Sequence, residues 1–115
     1  MHELAIAEGI IEALKEEVDG RITSIKLKIG EMSGVMPSAL EFLFHIASKG
    51  TIAEGAVLHI EHIPLTARCS DCSETFRVKD YCFECTSCGG GNFRLIAGRE
   101  LLIDEVEIDD IKPSP

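Results

Sequence analysis

The first twenty residues carry apolar positions at helical spacing. One stripe recurs every three or four residues and is widened by Ile6 and Ile10; it contains Leu4, Ala7, Ile11, Leu14 and Val18. Residues at this spacing share one face of an α-helix, so the pattern predicts an amphipathic helix. Asp19-Gly20 predicts its end, because glycine readily adopts the left-handed conformation.

The positions that follow predict strands on either side of a second helix. Apolar residues alternate with polar ones in a first strand, at Ile25, Leu27 and Ile29. The pattern Ser38-x-x-Glu41 fits a capping box at the start of a helix, and Gly50 predicts its end. Residues 56–63 and 100–108 again have strand character.

The order of these elements predicts an α/β fold, with two helices on a small three-stranded sheet. The last strand pairs most simply with the first sheet, which makes the segment between them an insertion. We therefore predict an α/β domain formed by residues 1–64 and 98–115, and a separate cysteine-containing module at residues 65–97.

The charge of the chain limits the partners it can have. Its 115 residues contain 11 Lys and Arg against 20 Asp and Glu, a formal net charge of −9. An acidic surface repels phosphate backbones and suits cations or a basic protein patch, so we expect no nucleic acid partner. No apolar run approaches the roughly 20 residues of a membrane span, and there is no signal segment. We expect a cytoplasmic protein without a membrane partner.

The five cysteines all lie between Cys69 and Cys88, and four of them form two Cys-x-x-Cys pairs. In a reducing cytosol such clustered cysteines indicate metal ligands rather than disulfides. Two pairs separated by twelve residues can complete a tetrahedron of sulfurs around Zn²⁺. The sequence therefore predicts one structural zinc ion in this module, with a zinc-ribbon-like fold.

Cys82 makes the choice of ligands ambiguous, because Cys82-x-x-Cys85 is also a pair. The turn after the second cysteine favours a residue that tolerates positive φ, and Gly89 follows Cys88, whereas Thr86 follows Cys85. We assign zinc to four cysteines and treat Cys82 as a free thiol; the four are Cys69, Cys72, Cys85 and Cys88. A thiol–disulfide relay is disfavoured because no helix pattern follows either pair, and four sulfurs leave no open position for catalysis.

A second candidate metal site is the start of the chain, Met1-His2-Glu3. The terminal amine, the His2 backbone nitrogen and the His2 imidazole can chelate Ni²⁺ or Cu²⁺ in one plane. Glu3 can supply a fourth atom from its backbone nitrogen or its carboxylate. Taken alone the motif is weak, since a histidine at position two is often an incidental exposed residue.

With both features the chain resembles the HypA family of nickel metallochaperones, which act in NiFe-hydrogenase maturation. The matching features run in the same order along nearly the whole chain: Met1-His2-Glu3, residues 50–56, the two cysteine pairs and Gly98-Arg99-Glu100-Leu101. One departure is Thr86, where proline commonly follows the first cysteine of the second pair. Cys82 is an additional thiol.

The resemblance implies nickel bound at Met1, His2 and Glu3, and zinc bound by the four cysteines. It also implies two partners, the GTPase HypB and the hydrogenase large subunit, and leaves room for a homodimer. No nucleophile, base or phosphate loop is present, so we expect a nickel carrier and no enzyme. The alternative is a zinc-ribbon adaptor that binds protein or nucleic acid without transferring nickel.

The remaining candidate residues are not interpreted as metal ligands. His45 is expected at the surface of the second helix, and His59 and His62 fall on opposite faces of one strand. Phe42, Phe44 and Ile46 are interpreted as ordinary helix packing. The acidic run at residues 104–110 predicts a solvated strand face or a surface for a basic partner.

Overall fold

The structure is a computed structural model that describes residues 2–109. It contains two helices, α1 (Glu3–Glu17) and α2 (Pro37–Ala47). Its six strands are β1 (Arg21–Gly30), β2 (Val57–Ile63), β3 (Thr66–Cys69), β4 (Thr75–Arg77), β5 (Phe93–Ala97) and β6 (Leu101–Asp109). They form two three-stranded sheets, in the orders β2-β1-β6 and β4-β3-β5.

The predicted fold class is confirmed, including the return of the last strand to the first one. Helix α1 buries Ala7, Ile10, Ile11 and Leu14, and β1 buries Ile22, Ile25 and Leu27. Together with Leu40 and Phe44 of α2 these side chains form most of the apolar interior of the first sheet's unit. No helix within residues 2–109 is long and apolar enough to cross a membrane.

The chain divides into two compact units. The first contains residues up to Leu27, the segment Val35–Glu61 and the residues from Leu102 onward; the second contains Lys28–Gly34 and His62–Leu101. The predicted domain boundaries, 1–64 with 98–115 around 65–97, stay a prediction.

The second helix differs from its prediction at its start. It begins at Pro37, and Met36 rather than Ser38 is the N-cap residue, without a side-chain cap. Proline favours the first helical position because its fixed φ suits the helix and it has no N–H to satisfy there. The capping-box prediction is therefore wrong.

The packing prediction for the second helix is also wrong in part. Phe42 is 66% exposed and Ile46 is 46% exposed, whereas Leu40 and Phe44 are buried. Residues 40 and 44 are one helical turn apart, while residue 42 lies on the opposite side of the helix. Helix α2 therefore has more large apolar side chains than it buries.

Within the second unit, two glycines allow backbone segments to cross closely. A Cβ atom on Gly30 would lie 2.2 Å from the carbonyl carbon of Gly98, and Gly98 itself has φ +118°. The Gly98 carbonyl accepts a hydrogen bond from the Met32 N–H at 2.7 Å. This approach requires glycine at position 30, because both colliding groups are backbone.

Candidate metal centre

The cysteine pairs lie at one end of the second sheet. Strand β3 pairs with β4 and with β5 in antiparallel register, and Cys69 at the end of β3 is opposite Phe93 of β5. The apolar core beside this sheet is small and includes two of the cysteines. It consists of Leu65, Ala67, Cys69, Phe76, Val78 and Cys85. Phe83 stacks on Phe93 beside it, with ring centroids 4.8 Å apart.

The two Cys-x-x-Cys segments form turns of the same design. In the first, the Ser73 N–H donates to the Cys69 carbonyl at 3.0 Å and the Asp71 N–H points to the Cys69 Sγ at 3.4 Å. In the second, the Gly89 N–H donates to the Cys85 carbonyl at 2.9 Å and the Ser87 N–H points to the Cys85 Sγ at 3.4 Å. Each turn therefore directs backbone N–H groups toward sulfur, which stabilises a thiolate.

The residue after each second cysteine has a left-handed backbone. Gly89 has φ +75°, as its position in the sequence suggested, and Ser73 has φ +66° at the equivalent place in the first turn. Ser73 could not be identified from the sequence in the same way, because serine does not signal a positive φ. The repeated geometry shows that the turn, rather than glycine itself, is the shared feature.

The structure brings together the four cysteines that the sequence argument chose. Their sulfur atoms all lie within 4.8 Å of one another, and Cys69–Cys88 and Cys72–Cys85 are 3.6 Å apart. Sulfurs around a tetrahedral zinc at about 2.3 Å would be separated by about 3.8 Å, whereas a disulfide requires about 2.05 Å. The four-sulfur cluster fits a zinc site.

Cys82 is not part of this cluster. Its N–H donates to the Lys79 carbonyl at 2.9 Å across a tight turn, and its side chain is exposed. Asp80 and Tyr81, the two residues inside the turn, have φ +52° and +56°. This turn returns the chain toward Cys85 and leaves the Cys82 thiol outside the group of four.

The clustered thiols differ in pKa because their surroundings differ. The Cys88 backbone N–H, assisted by the Ser87 N–H, lowers the pKa of Cys85 to about 7 against the opposing effect of desolvation. For Cys72, a hydrogen bond from the Glu74 backbone lowers the pKa, but desolvation and the neighbouring sulfurs outweigh it and raise the pKa to about 12. A divalent metal must therefore displace protons from the cluster, because it binds thiolates.

The described residues of the predicted nickel site differ in exposure: His2 is exposed and Glu3 is buried. Met1 lies outside the described residues. His2 is exposed just before α1, and its carbonyl accepts the Ile6 N–H at 2.9 Å. Glu3 is only 3% exposed, and its Oε2 accepts a hydrogen bond from the Met36 N–H at 3.0 Å. The carboxylate of Glu3 is thus engaged with the start of α2, a contact that the sequence did not indicate.

The other histidines are exposed, as expected for residues without a metal role; they are His45, His59 and His62. Among the described residues the four cysteines form the one cluster of possible metal ligands that meets this geometry.

Comparison with known proteins gives a consistent result along the chain. A family described as "Hydrogenase/urease nickel incorporation, metallochaperone, hypA" matches residues 1–108. The chain is 40% identical over 110 residues to "Hydrogenase maturation factor HypA" of Geobacter sulfurreducens, covering 95% of this chain and 100% of that one. It is 39% identical over 112 residues to the protein of the same name from Nostoc sp., covering 96% and 98%.

The fold also matches that of a solved structure, "Solution structure of the Ni metallochaperone HypA from Helicobacter pylori". The TM-score is 0.62 at 24% identity, over 94% of this chain and 97% of that one. At this identity the match supports the fold.

Proposed function

The chain belongs to the HypA family of nickel metallochaperones, which are maturation factors rather than enzymes, and from that membership we propose a specific mode of action. It binds Ni²⁺ at its N-terminus and delivers the ion during NiFe-hydrogenase maturation in the cytoplasm. The single observation that carries this proposal is an exposed His2 at the start of α1 in a chain that matches the family from its first residue.

The nickel ligands that we propose are the amine of Met1, the backbone nitrogen of His2 and its imidazole. Three nitrogens in one plane suit the tetragonal preference of Ni²⁺. We assign the fourth position to the backbone nitrogen of Glu3 rather than to its carboxylate, because the carboxylate is buried and bonded to Met36. Protons compete for the amine near neutral pH, so nickel affinity falls on acidification.

The distribution of charged residues along the chain supports a role for the α/β domain in attracting Ni²⁺. The first unit contains 14 acidic and 5 basic residues, which accounts for the whole net charge of −9, while the second contains six of each. A negative surface raises the local concentration of cations and suits a basic surface on a partner. We propose residues 1–64 with 98–115 as the nickel-binding domain and residues 65–97 as the zinc module.

The zinc ligands that we propose are Cys69, Cys72, Cys85 and Cys88. Bound zinc would cross-link the two cysteine turns and so hold the small second sheet together. The partners we propose from the family are HypB and the hydrogenase large subunit; a homodimer also fits this scheme. The acidic surface disfavours nucleic acid.

The test is a nickel titration of untagged, zinc-loaded protein by isothermal calorimetry. Wild-type protein should bind one Ni²⁺, and His2→Ala should weaken binding at least tenfold. His59→Ala removes an exposed histidine from β2 and should bind as wild type does. A short N-terminal extension should act like His2→Ala, because it moves the amine away from His2.

Undiminished nickel binding by His2→Ala would refute the N-terminal site. If neither protein binds nickel and both keep one zinc, the alternative of a zinc-ribbon adaptor replaces the carrier. Delivery is tested separately, by whether a strain lacking this protein regains hydrogenase activity with the wild-type chain but not with His2→Ala.

A further inference from the structure

Two arginines lie side by side on the second sheet. Arg68 of β3 and Arg94 of β5 are direct partners in the antiparallel register. Like charges in this position are normally destabilising, because their Cβ atoms are only about 5 Å apart. Neither guanidinium has a hydrogen bond or an ion pair with any residue in the range 2–109. The pair therefore carries two positive charges that the described part of the protein leaves uncompensated.

A cavity of about 220 Å³ adjoins this pair. It is lined by Arg68, Arg94, Cys69, Ser70 and Ser73. Hydroxyl groups can donate to an oxyanion, and the two serines belong to the first cysteine turn. The backbone of that turn is fixed by two hydrogen bonds, from Ser70 N–H to the Asn92 carbonyl at 2.9 Å and from Ser73 N–H to the Cys69 carbonyl at 3.0 Å. The donors thus stand on a part of the chain that the cysteine cluster holds in shape.

Within residues 2–109, no carboxylate forms an ion pair with either arginine. Asp71 accepts a hydrogen bond from the Asn92 side chain at 3.4 Å. On the other side of Arg68, its partner in β4 is the uncharged Thr75. The arginines also belong to the unit that has equal numbers of acidic and basic residues.

We propose that this cavity is a binding site for a phosphate group. A phosphate carries a charge of about −1.5 to −2 at neutral pH and has several acceptor oxygens, so it can pair with both guanidiniums and still accept from a serine. A carboxylate has one charge and two oxygens, and it would leave one arginine uncompensated. Among the described residues, those that line the cavity include no aromatic side chain, so recognition is directed at the phosphate group rather than at an attached base.

The site is distinct from both metal sites in what it binds. It takes an anion, it lies on the zinc module, and it uses none of the four sulfurs as ligands. The ligand is either free phosphate or a small molecule that bears a phosphate group. This proposal is independent of nickel binding at His2.

The experiment is a titration of zinc-loaded, ¹⁵N-labelled full-length protein with sodium phosphate at constant ionic strength, using chloride as the balancing anion. The expected result is saturable shifts of amide signals confined to residues 68–73 and 93–95. Arg94→Gln and Arg68→Gln should each weaken phosphate binding at least tenfold. Lys79→Gln removes the same charge from the Lys79–Cys82 turn of the same unit and should change the affinity less than twofold.

Thermal melting provides a second signature that a damaged fold would not produce. In chloride buffer Arg94→Gln should melt at or above the wild-type temperature, because it removes the repulsion between the paired arginines. In phosphate the wild-type midpoint should rise and the variant should not follow, since only bound ligand stabilises the folded state. Zinc content of one per chain confirms that the variant module is intact.

A parallel titration with adenosine monophosphate identifies the source of the phosphate group. Equal binding assigns the site to phosphate monoesters, and binding of inorganic phosphate alone assigns it to the free ion. The proposal is overturned if phosphate shifts do not saturate, or if Arg94→Gln and Lys79→Gln respond equally, since that pattern reports general charge screening.

Discussion

Ser73 and Gly89 occupy equivalent places in the two cysteine turns, and both have positive φ. An L-residue in the left-handed conformation costs about 1–2 kcal/mol, a cost that glycine avoids. At Gly89 a Cβ atom would meet only the Glu84 Oε1 at 3.7 Å, so space is not limiting there. The two positions therefore differ in conformational energy rather than in packing.

Substitution at these two residues should have opposite effects. Gly89→Ala should destabilise the zinc-loaded second unit by about 1 kcal/mol, and Ser73→Gly should stabilise it by about 0.5–1 kcal/mol. The measurement is the midpoint of urea unfolding followed by fluorescence of Tyr81, the one tyrosine of a chain without tryptophan. A Gly89→Ala variant as stable as wild type would contradict the role of positive φ.

Glu3 is the residue at which sequence and structure diverge most. As a member of Met1-His2-Glu3 it was a candidate nickel ligand by either of its possible donor atoms, and nothing in its spacing indicated burial. Its side chain instead holds the Met36 N–H at the start of α2, 33 positions away. Contacts over such a distance depend on how α1 and α2 pack, which the local pattern does not encode.

Variants of Glu3 should separate stability from nickel affinity. Glu3→Ala leaves the Met36 N–H without this acceptor and should cost about 1–3 kcal/mol, whereas Glu3→Gln retains an acceptor oxygen and should cost less. Both should bind nickel within about threefold of wild type if the carboxylate is not a ligand. Glu8→Gln, which alters an exposed carboxylate of the same helix, is the matched control. A tenfold loss of nickel affinity in Glu3→Gln alone would make the carboxylate a ligand.

At the scale of elements, local patterns predicted the helices and long strands well but not the short strands of the module. Alternation in β1 and apolar spacing in α1 span ten and fifteen residues, so each pattern repeats several times. Strands β3, β4 and β5 span only three to five residues, too few for a periodic signal. The start of α2 was missed because proline at the first helical position competes with a capping box one residue later.

The close approach of Gly30, the last residue of β1, to the backbone at Gly98 requires glycine at position 30. A Cβ on Gly30 would lie 2.2 Å from Gly98 C, 2.3 Å from Gly98 O and 2.6 Å from Arg99 N. Because all three atoms are backbone, no side chain can rotate away, and Gly30→Ala should destabilise the protein by at least about 3 kcal/mol.

The matched control for Gly30→Ala is Gly91→Ala in the same unit. A Cβ there would meet nothing within 4 Å, so the change should stay within about 0.5 kcal/mol. Urea unfolding of both zinc-loaded variants decides the point, and equal stability of the two would show that the crossing can relax.

At the scale of the whole molecule, the two units depend on different sources of stability. Both helices and the larger apolar interior lie in the first unit. The second unit has a core of six buried residues, two of which are cysteines of the four-sulfur cluster. A core of this size stabilises a small module only weakly, whereas a structural zinc site contributes about 10–16 kcal/mol in zinc-finger peptides.

Removal of the metal should therefore unfold one unit and spare the other. Chelation of zinc-loaded protein should abolish the dispersed amide signals of residues 65–97 and change Tyr81 fluorescence, while ellipticity at 222 nm, which reports α1 and α2, should persist. Loss of zinc should become easier as pH falls, because protons then compete for thiolates, beginning with the sulfurs whose pKa is raised, such as Cys72. Cys82→Ser should behave as wild type, since Cys82 lies outside the cluster. Simultaneous loss of the helical signal would instead show that the first unit needs the zinc module in order to fold, and an unchanged amide spectrum would show that the four sulfurs hold no structural metal.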